Sequence, residues 1–220
     1  KDVDEAYEMA VSRGASSAQE PHTLEDSRGV ARHAAIRTYG DTIHSFYALA
    51  EYDGPFLPGF RPDLKEETDV GLKCIDHIVG NVEANKMNHW VDWYRDVMGF
   101  TKFLSFDDKD ISTEFTALRS TVMSAPHAAL KMPINEPADG RRKSQIEEYI
   151  EFYGGPGVQH VALITDDIVK TVADLRQRGV EFAVMLRFVS DLEPDFGRVG
   201  LVPPAVQDGA VQTAIGHHFH

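Results

Sequence analysis

Three segments of this chain share one pattern, in which apolar residues recur at helical spacing and the run ends near a glycine. The segments are VDEAYEMAVSRGA, MNHWVDWYRDVMGF and DDIVKTVADLRQRGVEF, and their glycines are Gly14, Gly99 and Gly179. This spacing predicts amphipathic helices that pack one face on a sheet. Glycine suits the left-handed position that ends a helix, because it has no Cβ. The chain is therefore expected to repeat one unit of strand and helix.

Two apolar runs that precede these helices each contain one histidine. His77 lies in LKCIDHIVGNV, 22 residues before Gly99, and His160 lies in GGPGVQHVALIT, 19 residues before Gly179. Repeats related by a pseudo-twofold axis place equivalent strands side by side, so both imidazoles are expected within metal-bridging distance in one concavity. With a carboxylate, two such histidines form the facial arrangement of non-haem Fe(II) oxygenases. The alternative is that each histidine is hydrogen-bonded within the core.

Strand-like stretches follow the first two helices. VARHAAIRT and TIHSFYALA flank the turn YGD, and STEFTALRSTVM and HAALKMP follow the second helix. SQIEEYIEFYGG predicts a short helix with a capping box formed by Ser144 and Glu147 and with Gly154 near its end. The repeated unit is a strand, a helix and two or three antiparallel strands, which makes the fold class α+β.

The composition narrows the partners and the compartment. The 220 residues carry a formal charge of −13, which argues against nucleic acid and anionic membrane surfaces as partners. No apolar run is long enough to span a membrane. The one cysteine, Cys74, excludes an intrachain disulfide, fits a reducing cytoplasm, and is expected to pack in the strand core. The start KDVDEAYEMA shows no secretory signal and is expected to lie inside a longer protein.

Several segments together resemble the 4-hydroxyphenylpyruvate dioxygenase family of the vicinal-oxygen-chelate superfamily. They are IDHIVGNV, MNHWVDWYRDVMGF, EYDGPFLPGF and KMPINEPADGRRKSQIEEYIEFYGGPGVQHVAL, and the resemblance covers about residues 1–182. It implies barrel-like domains of βαβββ modules, incomplete here, with Fe(II) in the C-terminal domain. It also implies the conversion of 4-hydroxyphenylpyruvate and O2 into homogentisate and CO2, a step of tyrosine catabolism.

The resemblance assigns roles to individual residues. His77 and His160 match the iron ligands, and the residues that match the substrate pocket are Ser120, Asn135, Gln145 and Gln159. Their hydroxyl and amide groups suit a neutral phenol, which needs both donors and acceptors. Each pocket residue also has an ordinary structural explanation: a strand serine, an asparagine in a loop flanked by prolines, and a glutamine in a first helical turn. Gln159 adjoins His160, and neighbours in a regular strand point to opposite faces.

The resemblance also implies a domain order. Residues 1–50 form the last module of an N-terminal domain, residues 51–72 a linker, and residues 73–182 the metal-binding domain with its first module and the start of its second. The tail 183–220 is atypical and lacks a counterpart of the glutamate that completes the ligand set. Five tail residues offer donor atoms without any pattern that places them near the histidine pair: Glu193, Asp195, His217, His218 and His220.

Three functions remain open for the chain. The first is the Fe(II)-dependent dioxygenase, with low homogentisate production expected from a centre that has two histidines and no carboxylate. The second is an enzyme like 4-hydroxymandelate synthase, which uses the same substrate. The third is a non-catalytic fragment, which either binds a metal or an aromatic acid or is defective and folds poorly. A homo-oligomer is also open, and surface or hydrogen-bonded roles are expected for the remaining histidines before the tail: His22, His33, His44, His89 and His127.

Overall fold

The computed structural model describes residues 2–61, 69–106, 117–126, 130–138 and 143–182. Its helices are α1 Val3–Ser12, α2 Met87–Asp96, α3 Gln145–Tyr153 and α4 Ile168–Gln177. Its strands are β1 Ser17–Asp26, β2 Gly29–Arg37, β3 Ile43–Ala48, β4 Leu72–Asn81, β5 Thr101–Phe106, β6 Ala117–Ser124, β7 Lys131–Ala138 and β8 Gly157–Thr165. They form two sheets, ordered β1-β2-β3 and β5-β6-β7-β4-β8. The predicted α+β class is confirmed.

The first sheet is an antiparallel meander covered by α1. Asp2 caps this helix by accepting hydrogen bonds from the backbone N–H groups of Asp4 and Glu5. Gly14 follows with a φ of +103°. The predicted hairpin of β2 and β3 is confirmed, with Arg37 opposite Ile43. The sequence does not predict β1, because SAQEPHTLED lacks regular apolar alternation and its strand conformation comes from pairing with β2.

The second sheet contains the two histidine strands as neighbours. β4 pairs antiparallel with β8 and parallel with β7, and β6 and β5 continue the sheet in antiparallel order. Helix α3 begins at the predicted capping box, in which Ser144 and Glu147 bond each other's backbone N–H groups, and Gly154 ends it in the left-handed conformation. The sequence also does not predict β5, since TKFLSF is short and has β6 as its one neighbour among the described strands.

The prediction that Asn135 lies in a loop flanked by prolines is wrong, because PINEP is part of β7. The Asn135 carbonyl accepts a hydrogen bond from the Val82 N–H on the β4 side. Pro133 and Pro137 lie two residues away on either side, so their nitrogens face the same direction. The ladder with β4 is short on that side, while the ladder with β6 runs from Lys131 to Ala138 without interruption. Both prolines therefore fit within the strand.

The two parts of the chain share apolar cores. Tyr39, from the turn after β2, is fully buried in a cluster with Tyr94 and Ile134 of the second part. Val97 in turn belongs to the cluster that includes Tyr7 of α1. The boundaries of the predicted linker stay a prediction, because residues 62–68 lie outside the described ranges.

The prediction that Cys74 packs in the strand core is wrong, because its side chain is exposed on β4 after an irregularity in the pairing between Leu72 and Cys74.

Among the residues that the structure describes, no helix has the length and apolar character needed to cross a membrane. The tail 183–220, with its five donor residues, lies outside the described ranges, as does His127.

Candidate metal centre

His77 of β4 and His160 of β8 lie next to each other on adjacent strands. Their ring centroids are 5.7 Å apart, and the rings meet edge to face at 75°. In the antiparallel register His160 pairs with Val79, two residues beyond His77. Both side chains are half-buried. Two imidazoles at this separation suit a shared small ligand between them, and their role as metal ligands stays a prediction.

Each histidine directly follows an irregularity in the pairing of β4 and β8. Ile75 pairs with Leu163 and His77 with Ala162, which leaves Asp76 as an extra residue in β4. Val79 pairs with His160 and Gly80 with Val158, which leaves Gln159 as an extra residue in β8. These β-bulges change the direction of the side chains at the extra positions. In both strands, therefore, the residue before the histidine turns towards the imidazole.

The side chains at the two bulges bond the Nδ1 atoms of the histidines. The Asp76 carboxylate lies 2.7 Å from His77 Nδ1, and the Gln159 amide oxygen lies 2.9 Å from His160 Nδ1. Both partner atoms are acceptors, so each Nδ1 carries the proton and donates it. In a neutral imidazole the Nε2 atom then has a free lone pair. Both histidines therefore present Nε2 as the atom that can coordinate a metal ion.

Burial keeps His160 neutral, and two hydrogen-bond donors keep Asp76 ionised. Burial, with a smaller effect from His77, lowers the pKa of His160 to about 4, so this imidazole is unprotonated at neutral pH. Partial burial by itself raises the pKa of Asp76, but hydrogen bonds from Lys131 and His77 outweigh it and leave the pKa below its usual value. Lys131 Nζ donates to Asp76 Oδ1 at 2.7 Å. The carboxylate behind His77 is thus ionised and has two donors.

One face of the sheet carries both histidines and two of the predicted substrate residues. Asn81 lies four residues after His77 on the same face of β4, and His160 pairs with the residue midway between them. Asn135 pairs with Asn81, and Ser120 pairs with Asn135. Cross-strand partners share a face, so these five polar side chains line one surface across four strands.

The other two predicted substrate residues occupy different positions. Gln145 is the first residue of α3 and is half-buried, and this helix packs against β7, β4 and β8. Gln159 reaches the centre because the bulge turns its side chain towards His160, whereas neighbours in a regular strand point to opposite faces. Its amide oxygen contacts His160 directly. The roles of all four residues in substrate binding stay predictions.

Three residues of the centre are not predicted from the sequence: Asp76, Lys131 and Asn81. Asp76 has one sequence signal, since a polar residue directly precedes each histidine in the two matched runs. Lys131 has no such signal, because only the parallel pairing of β7 with β4 sets it opposite His77. Asn81 is fully buried, and its side-chain oxygen accepts a hydrogen bond from the Asn135 amide nitrogen at 3.5 Å. The Asn81 amide nitrogen has no protein partner among the described residues.

The first part of the chain contacts the strands of the centre directly. The backbone of Gly80 lies against Tyr39, so close that a Cβ there would stand 2.2 Å from the Tyr39 hydroxyl oxygen. Tyr153, at the end of α3, donates to Asp41 in the turn before β3, with 2.9 Å between Tyr153 Oη and Asp41 Oδ1. The first part therefore packs against β4 near the histidine pair and bonds the helix that leads into β8.

The donor set fits two coordination positions of a metal ion. No group of three or more histidine, cysteine or carboxylate side chains that could hold a metal occurs within the described ranges. The two imidazole Nε2 atoms suit Fe(II), Zn²⁺ or Co²⁺ by chemical type. Further ligands would come from water, from a chelating substrate or from residues beyond the described ranges, which include Glu193 and Asp195.

Comparisons with known proteins identify similar chains. Residues 74–187 match the family model described as Glyoxalase/Bleomycin resistance protein/Dioxygenase superfamily. A 4-hydroxyphenylpyruvate dioxygenase from Yarrowia lipolytica is 49% identical over 187 residues, and one from Danio rerio is 46% identical over 189 residues. These alignments cover 82% and 83% of this chain. The chain spans about half the length of both relatives, 48% in each case.

A solved structure has a similar fold over much of the chain. A mutant of 4-hydroxymandelate synthase from Streptomyces coelicolor superposes with a TM-score of 0.68 at 25% sequence identity. The superposition covers 84% of this chain and 52% of that chain. A fusion protein of a xylose isomerase-like TIM barrel and 4-hydroxyphenylpyruvate dioxygenase gives a TM-score of 0.52 at 18% identity, covering 83% of this chain and 27% of that one, which shows similarity of fold alone.

Proposed function

Since this chain belongs to the Glyoxalase/Bleomycin resistance protein/Dioxygenase superfamily, we propose that it is the metal-binding part of an Fe(II)-dependent 4-hydroxyphenylpyruvate dioxygenase. Such an enzyme converts 4-hydroxyphenylpyruvate and O2 into homogentisate and CO2. The observation that carries the proposal is the pair His77 and His160, whose Nδ1 atoms are both occupied and whose Nε2 atoms share one sheet face. The names of relatives at 46–49% identity favour this activity within the superfamily.

The two histidines are the residues that would hold the metal. Burial keeps the His160 imidazole unprotonated at physiological pH, and the contact of Asp76 with His77 Nδ1 leaves His77 Nε2 as the atom available to a metal. When bound there, Fe(II) supplies the one-electron and O2 chemistry that amino-acid side chains lack. A 2-oxo acid can add two oxygen donors to two imidazoles. The substrate is thereby expected to complete much of the coordination that the described residues leave open.

The polar row beside the histidines supports binding of a hydroxylated aromatic acid. Ser120 and Asn135 face the same surface as the histidines and offer a hydroxyl and an amide. Gln159 uses its amide oxygen on His160, which leaves its amide nitrogen as a donor towards the substrate. Gln145 adds an amide from the first turn of α3. A phenol with both donor and acceptor character pairs with such groups, and a buried polar set discriminates against a ring that lacks the hydroxyl.

An activity like that of 4-hydroxymandelate synthase is the alternative. It rests on the structural similarity at 25% identity, and the dioxygenase relatives at 46–49% identity outweigh it. The two activities share the substrate, so only the product distinguishes them. A cytoplasmic location and a homo-oligomer stay predictions.

Metal titration is the first test of the proposal. Anaerobic Co²⁺ addition to the 220-residue chain is expected to produce d–d absorption bands, and the variants His77→Ala and His160→Ala are each expected to lose them. His89→Ala is the matched control, because His89 is an exposed histidine on α2. Equal Co²⁺ affinity of all four proteins would refute the assignment of the pair.

Product analysis is the second test. The chain is loaded with Fe(II) and ascorbate, 4-hydroxyphenylpyruvate and O2 are added, and homogentisate, 4-hydroxymandelate and CO2 are quantified. Homogentisate is the expected product, at a low rate if the metal has only two protein ligands. 4-Hydroxymandelate as the main product would favour the alternative, and Co²⁺ binding through both histidines without any product would favour the non-catalytic fragment.

A further inference from the structure

The two histidines have matched bulges but unmatched partners. Asp76, which bonds His77, is a carboxylate, whereas Gln159, which bonds His160, is a neutral amide. We propose that Asp76 is a positioning residue that holds His77 in the tautomer with Nε2 free and makes it the stronger electron donor of the pair. This inference rests on the proposed function, because it assigns Asp76 a role towards the metal that His77 would hold.

The tautomer follows from hydrogen-bond chemistry. An ionised carboxylate has no proton to give, so the proton in the contact of 2.7 Å with Asp76 Oδ2 belongs to His77 Nδ1. The second carboxylate oxygen is engaged at the same distance by Lys131 Nζ. Two donors from two strands fix the carboxylate, and through it the plane of the imidazole. A single-residue change at Asp76 therefore acts on His77 without touching the metal position itself.

Lys131 holds the Asp76 carboxylate in place. It pairs with His77 across β4 and β7, and its side chain is only 19% exposed. The ammonium group engages Asp76 Oδ1 and leaves Oδ2 for His77 Nδ1. The order Lys131, Asp76, His77 is therefore a chain of three groups from the neighbouring strand to the candidate ligand. Carboxylate partners of this kind raise the basicity of a ligating imidazole, and their loss typically lowers metal affinity by about 10- to 100-fold.

Gln159 serves as the internal comparison. It lies at the same position relative to its histidine and makes the same kind of Nδ1 contact, but it carries no charge. Its amide oxygen selects the tautomer of His160 without adding negative charge behind the ring. The contrast predicts that Asp76→Asn keeps the His77 tautomer and loses only the electrostatic contribution, whereas Asp76→Ala loses both.

Imidazole ¹⁵N NMR of the metal-free 220-residue chain tests the positioning directly. In the unmodified protein both His77 and His160 are expected to be protonated at Nδ1. Asp76→Ala should convert His77 to a mixture of tautomers and leave His160 unchanged, and Asp76→Asn should preserve both. Asp166→Asn is the matched control, since Asp166 also pairs with a lysine of β4, Lys73, but does so at an exposed position away from the histidines.

Co²⁺ affinity in the same proteins tests the consequence for the metal. Asp76→Ala is expected to bind about 10- to 100-fold more weakly, Asp76→Asn and Lys131→Met less severely so, and Asp166→Asn equally well. Thermal unfolding and the His160 signals establish that each variant is folded, and Asp76→Asn serves in place of Asp76→Ala if the latter unfolds.

The outcomes separate this inference from the proposed function. An unmodified chain that binds no Co²⁺ overturns the proposed function and the metal-directed part of the inference, while the NMR result still decides the tautomer. An unchanged His77 tautomer in Asp76→Ala overturns the inference even if Co²⁺ binds. A changed tautomer with unchanged Co²⁺ affinity shows that Asp76 is only structural. If Asp76→Asn alone is folded, Co²⁺ affinity equal to that of the unmodified chain overturns the electrostatic role.

Discussion

His44 makes the packing between the two parts of the chain sensitive to acid. This histidine of β3 bonds the buried Tyr94 of α2, with 2.8 Å between His44 Nε2 and the Tyr94 hydroxyl oxygen. Its ring also stacks on Trp93 with 6.1 Å between centroids. Burial lowers the pKa of His44 from 6.5 to about 4. The native protein therefore requires a neutral imidazole at a position that an unfolded chain protonates readily.

The direction and size of the effect follow from proton linkage. The unfolded chain binds a proton at His44 as the pH falls through 6.5, while the folded chain resists it until the pH reaches about 4. Stability is thus fully present above pH 6.5 and decreases towards pH 4, because the unfolded state binds more protons in that window. A pKa difference of this size corresponds to a loss of about 3 kcal/mol in the free energy of unfolding.

The variant His44→Gln isolates this contribution. Glutamine does not titrate and can still hydrogen-bond the Tyr94 hydroxyl. Urea unfolding of both proteins at pH 7.5 and pH 4 should show that the unmodified chain loses about 2–3 kcal/mol more than the variant over this range. His89→Gln, which alters an exposed histidine, should behave like the unmodified chain. The reasoning is refuted if His44→Gln loses as much stability as the unmodified chain.

Three other changes test the packing and the substrate surface. Gly80→Ala places a Cβ 2.2 Å from the Tyr39 hydroxyl oxygen and should destabilise the chain by about 1–3 kcal/mol in urea unfolding, and an unchanged midpoint would contradict this contact. Ser144→Ala removes the cap of α3 and should cost about 1 kcal/mol in thermal unfolding, which Ser144→Thr should largely restore; equal losses would argue against capping. Asn135→Ala should weaken binding of 4-hydroxyphenylpyruvate to the Co²⁺-loaded chain about tenfold by calorimetry, with Co²⁺ affinity unchanged. Unchanged affinity for the acid would exclude Asn135 from the substrate surface.

Local patterns account for the helices and for the pairing of the two histidine strands. The spacing of apolar residues and the closing glycines predict α1, α2 and α4, and the capping box predicts the start of α3. These signals are readable because helix ends and amphipathic faces depend on residues within a few positions of each other. The matched runs around His77 and His160 likewise predict neighbouring strands, since a repeat in the sequence implies a repeat in space.

The details of the site depend on contacts between strands that are distant in the sequence. Asp76 and Gln159 reach the imidazoles because β4 and β8 pair with one extra residue on each strand, and a bulge belongs to the pair of strands and not to either sequence. Lys131 reaches Asp76 only through the parallel pairing of β7 with β4. PINEP becomes a strand because its prolines face the short ladder, and Cys74 is exposed after an irregularity in the pairing of β4 with β8. The sequence by itself determined the repeated units and the two histidines. The tertiary structure decided the polar partners of those histidines, because hydrogen bonds across a sheet depend on register, which no single segment contains.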